Sequence, residues 1–141
     1  MSSIKKIGYV IVFVRDMARS TKFYRDAVGL TVKEESEHWT EFALEGTTLA
    51  LHLAEKMPPV PKPLADPSVK QGVAQEIVFH ADDPFEVRAS LVGRGVNVAA
   101  PKMVHEAGPT MVGVSCLFED PDGNMLSVYG IVPKAALEAH R

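Results

Sequence analysis

From Tyr9 to Val14 the chain reads Tyr-Val-Ile-Val-Phe-Val, an alternation that sets Val10, Val12 and Val14 on one side of an extended strand and Tyr9, Ile11 and Phe13 on the other. Both sides are apolar, so both are expected to be covered. Asp16 stands where a helix N-cap belongs, and Phe23, Tyr24, Ala27 and Val28 follow as one apolar stripe of a helix beginning near Met17. Gly29 suits the left-handed stop at its end. Leu30 to Lys33 reads as a second strand, and Trp39 to Leu44 with Thr47 to Leu53 reads as a hairpin turning at Glu45-Gly46. The first stretch therefore predicts a βαβββ unit.

Between Met57 and Pro67 lie Pro58, Pro59, Pro61, Pro63 and Pro67, which forbid a helix interior and favour a stiff, extended connector. After it the same order restarts. A strand from Glu76 to Ala81 leads to Asp82-Asp83, then to a helix with Val87, Leu91 and Val92 on one stripe and Gly95 at its end. Thirteen positions separate Asp16 from Gly29 and twelve separate Asp83 from Gly95, and each glycine precedes a short β-type run, Leu30-Thr31-Val32 and Val96-Asn97-Val98. A second hairpin runs from Val114 to Glu119 and from Met125 to Tyr129 around Asp120-Pro121-Asp122-Gly123-Asn124, whose Pro and Gly are strong turn residues. That loop is not an EF-hand, because the twelfth position, which needs a bidentate glutamate, is Ile131. The expected architecture is α+β: two tandem βαβββ modules, 4–56 and 73–131, a linker 57–72, a tail 132–141, and one cupped eight-stranded mixed sheet with the helices outside.

A length of 141 residues fits one domain, so the repeat is a duplication inside it. Fifteen Lys and Arg against eighteen Asp and Glu leave no basic surplus for a phosphate backbone, which argues against nucleic acid. The one cysteine, Cys116, cannot close an internal disulfide and reads as a small buried hydrophobe, so a reducing cytoplasm is the expected compartment. Lys5 and Lys6 before Ile7 to Val14 imitate a signal peptide, but Arg15 and Asp16 end the run, and no stretch is long enough to span a bilayer.

Alternation also sorts side chains by face. If Val10, Val12, Val14, Leu49, Leu51 and Leu53 pack under the first helix, then Tyr9, Ile11, Phe13, Thr48, Ala50 and His52 face away from it. In the second unit Ile77, Phe79, Ala81, Leu126 and Val128 take the core, leaving Glu76, Val78, His80, Met125, Ser127 and Tyr129. With Trp39 and Glu41 added, the concave face is expected to carry aromatic walls and a few polar groups, as a small-molecule pocket does.

Several stretches resemble the vicinal oxygen chelate superfamily, the group of glyoxalases, bleomycin-resistance proteins and extradiol dioxygenases. They are Val12-Phe13-Val14-Arg15-Asp16-Met17 with Ser20, Phe23-Tyr24-Arg25-Asp26-Ala27-Val28-Gly29-Leu30, Thr47 to Leu53, and Phe118-Glu119-Asp120-Pro121-Asp122-Gly123-Asn124. The resemblance implies paired modules, a homodimer, and a divalent ion (zinc, nickel, manganese or iron) held at four positions that map here to Tyr9, His52, Glu76 and Ser127. The glyoxalase pattern at those positions is His, Glu, His, Glu; here only His52 and Glu76 have ligand chemistry, with Glu41, Tyr9, Tyr129, His80 or His105 available to complete a set. His105-Glu106 is expected in a loop before Gly108-Pro109.

Three functions are compatible with this reading. One is a glyoxalase-like lyase or isomerase in which a metal held by His52 and Glu76 stabilises an enediolate while Glu76 or Glu41 moves the proton. A second is a metal-free protein of the bleomycin-resistance kind, sequestering a ligand among Tyr9, Trp39, Ser127 and Tyr129. The third is a metal-free enzyme with His52 and Glu76 as acid and base, the two forming a hydrogen-bonded pair.

Overall fold

Asp16 and Asp83 set the starts of both long helices. Asp16 is extended (φ −135°) and its carboxylate accepts the Arg19 N–H at 3.0 Å; Asp83 (φ −123°) accepts from Phe85 and Glu86, both at 3.1 Å, with Pro84 in the first turn. Caps of this kind contribute about 1 kcal/mol each. The computed structural model describes residues 6–54 and 76–140, and the proline-rich linker 57–72 lies outside them. The chain divides into two compact units, Met1–Val60 and Pro61–Arg141.

The first unit is β1 (Tyr9–Val14), α1 (Met17–Lys22), β2 (Thr31–Glu35), β3 (Trp39–Ala43) and β4 (Thr48–Leu53). Its sheet has the order β1-β4-β3-β2, with β1 parallel to β4 and the other pairs antiparallel. The helix does not stay α-helical to Gly29. It widens into a π-helical turn over Phe23–Ala27, where the Val28 N–H reaches the Phe23 carbonyl at 3.0 Å. That turn lays Tyr24, fully buried, against Phe42 with ring centroids 5.7 Å apart, and Gly29 then stops it at φ +91°. Arg25 and Asp26 stay exposed and pair with each other, the hydrogen bond raising the guanidinium pKa and lowering that of the carboxyl.

Val12, Val14, Leu49 and Leu51 are buried, as the alternation predicts, and α1 packs on β4 and β3. Apolar side chains of this size are worth about 1.5–3 kcal/mol each when fully buried. Two buried hydroxyls join helix to sheet: Thr21 and Thr40 lie 3.1 Å apart, and Thr40 also donates to the Met17 sulfur at 3.3 Å.

The second unit is β5 (Glu76–His80), α2 (Pro84–Gly93), β6 (Lys102–Glu106), β7 (Met111–Glu119), β8 (Met125–Pro133) and α3 (Lys134–Ala139). Its sheet, β5-β8-β7-β6, repeats the first, with β5 parallel to β8. The eight strands hydrogen-bond as two sheets of four. The β7–β8 turn is closed by Asp120, whose carboxylate accepts from the Asp122 N–H (2.9 Å), the Asn124 N–H (2.8 Å) and the Asn124 side chain (2.8 Å).

Three sequence expectations for this unit are corrected. Val96-Asn97-Val98 is not a strand: Arg88 takes the Val98 and Ala99 carbonyls at 3.1 and 2.9 Å, and Pro101 has no N–H to continue a ladder. His105-Glu106 is not in a loop but ends β6. Val92 is exposed, because it lies about 100° around the helix from Leu91, which carries the buried stripe with Phe85. Residues 132–140 pack onto this sheet: Val132 and Leu137 join Phe85, Val112 and Val114 in one core cluster, and His140 stacks on Phe85 at 4.0 Å.

Candidate functional sites on the open faces of the two sheets

On the first sheet, the face away from α1 carries a row of rings. His52 stands opposite Phe13 on β1 and Trp39 on β3, with centroids 5.5 and 5.9 Å from them, and Tyr9 leans onto Trp39 at 6.3 Å. The next row is Ile11, Ala50, Glu41 and Glu34, in register across all four strands. Glu41 is 7% exposed and Glu34 is open to solvent, so two carboxylates share a face with the half-buried Trp39. Like charges placed this way disfavour each other and favour a cation beside them.

On the second sheet, Ser127 Oγ is fully buried and donates to Glu76 Oε2 at 3.2 Å. Glu76 thus has one hydrogen-bond partner inside its own unit. Further along β8, Tyr129 stands opposite His80 on β5 and Ser115 on β7, and its hydroxyl meets His105 Nε2 at 2.7 Å. Leu117, Glu119 and Met125 line an open depression of about 540 Å3 at the other end of this face, together with Asn97 and Ala99. That volume lies within the range of small-molecule sites.

Register also tests the four mapped metal positions. In the second unit Val78 pairs with Ser127 and His80 with Tyr129; in the first, Ile11 pairs with Ala50 and Phe13 with His52. Ala50, not His52, is thus the counterpart of Ser127, and both are fully buried on the central strand of their sheet. Tyr9 pairs with Thr48, four positions from His52, which puts the two backbones about 13 Å apart along the strands. The repeat-equivalent set is Tyr9, Ala50, Glu76 and Ser127: a phenol, a methyl, a carboxylate and a hydroxyl. A resident divalent ion needs about three strong protein donors. Those four side chains offer one, and among the described residues no three His, Cys, Asp or Glu come together as a metal-holding group. The donors present do not fit the metal that the resemblance implies.

His105 is the residue that sequence reasoning set aside. A bulge between Met103 and His105 turns it across the sheet, and its ring lies over Gly113, directly opposite on β7. A signal was present: Lys102 to Glu106 sits between Pro101 and Gly108-Pro109 as a strand-length run, and a glycine inside Val112-Gly113-Val114 marks a close approach. Cys116 is buried on β7, and burial raises its thiol pKa against a smaller lowering by Arg88. No helix among the described residues is long and apolar enough to cross a membrane.

Among solved structures the chain is similar to a glyoxalase family protein from Enterococcus faecalis (TM-score 0.69, 21% identity, 89% of this chain and 97% of that one). It is also similar to a lactoylglutathione lyase from Agrobacterium tumefaciens (TM-score 0.66, 19% identity, 92% and 96%) and to an integron cassette protein from V. cholerae (TM-score 0.67, 21% identity, 92% and 98%). At these identities the likeness concerns the fold. No curated protein sequence matches this one. The family model of the Glyoxalase/Bleomycin resistance protein/Dioxygenase superfamily matches residues 6–128, nearly the whole described chain, and the protein belongs to that superfamily.

Proposed function

We propose that this chain is a ligand-binding member of its superfamily that holds a flat, cationic aromatic molecule on the open face of its first sheet without help from a resident metal ion. The observation that carries the reading is the row Phe13, His52 and Trp39, with Tyr9 on Trp39 and the Glu41 and Glu34 carboxylates in the adjoining row. Aromatic faces attract cations, and a nearly buried carboxylate strengthens that attraction. This supports the sequestering function over the lyase, whose metal lacks a donor set here.

The protein acts as a homodimer in the cytoplasm on this reading. Support for pairing comes from the superfamily, whose members often pair, and from β1 being an outer strand of its sheet.

Trp39 is the one tryptophan, so its fluorescence reports this face alone. Titration with acridine orange and a panel of related aromatic cations should quench it saturably, to the same extent with and without EDTA. A flat response across the panel, or quenching that EDTA abolishes, contradicts the proposal.

A further inference from the structure

On the second sheet, a histidine, a tyrosine and a glycine from three strands form an arrangement that local packing does not require. His105 Nδ1 lies 3.1 Å from the Glu106 carbonyl, which can only accept, so when the ring is neutral its one proton sits on Nδ1. Nε2 is then the acceptor, and the Tyr129 hydroxyl donates to it at 2.7 Å. The rings lie 5.9 Å apart at 30°. This geometry needs the bulge that aims His105 and the bare Cα of Gly113 beneath it. With its only proton committed to His105, the Tyr129 oxygen can meet a ligand only as an acceptor.

We infer that Tyr129 and His105 form a proton-accepting subsite for a phenol, an acidic hydroxyl on a flat apolar body. The ligand's O–H bond breaks as its proton passes to Tyr129 Oη; the Tyr129 O–H bond breaks as that proton passes to His105 Nε2. A phenolate and an imidazolium result, and no electrons are transferred. Val78, Leu117, Met125 and Ile131 lie exposed on the same face and suit the apolar body of such a ligand. The charged and titratable groups around the pair are His80 on β5, 6.1 Å from the Tyr129 ring, Lys102 and Glu106 on β6, and Lys134 of α3, which reaches Glu106 at 3.4 Å. Tyr129 touches the ligand, and His105 acts through it. Nothing in the His105–Tyr129 geometry rests on the aromatic row of the first sheet.

The probe is para-nitrophenol, whose phenolate absorbs visible light and whose neutral form does not. At about pH 7, where an ordinary imidazole is mostly neutral, the wild-type chain should raise the phenolate band saturably above that of the free probe. Tyr129→Phe should remove the band. His105→Gln keeps an acceptor for the Tyr129 hydroxyl but cannot take up the proton; it should lose the band while binding, followed by equilibrium dialysis, weakens by about tenfold or less. His80→Gln should keep the band. Absence of binding to the wild-type chain, or a band that persists in His105→Gln, overturns the inference.

Discussion

Gly113 lies directly opposite His105 in the β6–β7 ladder, and the His105 imidazole fills the space that a Cβ at Gly113 would need. Gly113→Ala should therefore push out a side-chain ring rather than the backbone. Gly113 is buried, but the His105 ring above it is exposed and can swing away, so stability should fall by no more than the roughly 1 kcal/mol typical of point substitutions. The contact with Tyr129 should nevertheless be lost. Urea unfolding together with the nitrophenolate band separates the two effects: an intact band in Gly113→Ala would mean that His105 is not held where the structure puts it.

The Thr21–Thr40 pair makes a prediction about stability alone. Thr40→Val removes one hydroxyl and leaves the other buried against a methyl, which should cost about 1–3 kcal/mol. The double variant Thr21→Val/Thr40→Val removes both partners and should recover most of that loss. Chemical denaturation of the two singles and the double forms a cycle; strictly additive losses would show that the hydroxyls do not act as a pair.

Cys116 should resist modification in the native chain. Burial removes access and raises the thiol pKa, so the reactive thiolate is disfavoured twice. A folded-state pKa above the unfolded one means that the folded chain holds the thiol proton more tightly. The resulting contribution to stability is complete below the unfolded thiol pKa and is lost as pH rises through the folded one. Labelling with a disulfide-exchange reagent should be slow in buffer and fast in denaturant; equal rates in both would place Cys116 at the surface.

How much of this could be read from the sequence differs by scale. Local chemistry was plain: Asp16 and Asp83 cap because a carboxylate two or three residues before free N–H groups needs nothing distant, and alternation put Val12, Val14, Leu49 and Leu51 inside. Alternation sets the face but not the row. Thr48, Ala50 and His52 share a face, and only the β1–β4 pairing, made across a long crossover, decides that Ala50 is the counterpart of Ser127. Val96-Asn97-Val98 looked like a strand until Arg88, eight residues upstream of Val96, took the Val98 carbonyl. His105 was hidden for a related reason: its role depends on a bulge and on a glycine in the next strand.

The metal content of the protein purified without chelators tests the account most directly. Register leaves Glu76 as the one strong donor among the four repeat-equivalent positions. The account predicts far less than one divalent ion per chain by elemental analysis, unchanged in Glu76→Ala and in His52→Ala. One tightly held ion per chain, lost in Glu76→Ala, would contradict it.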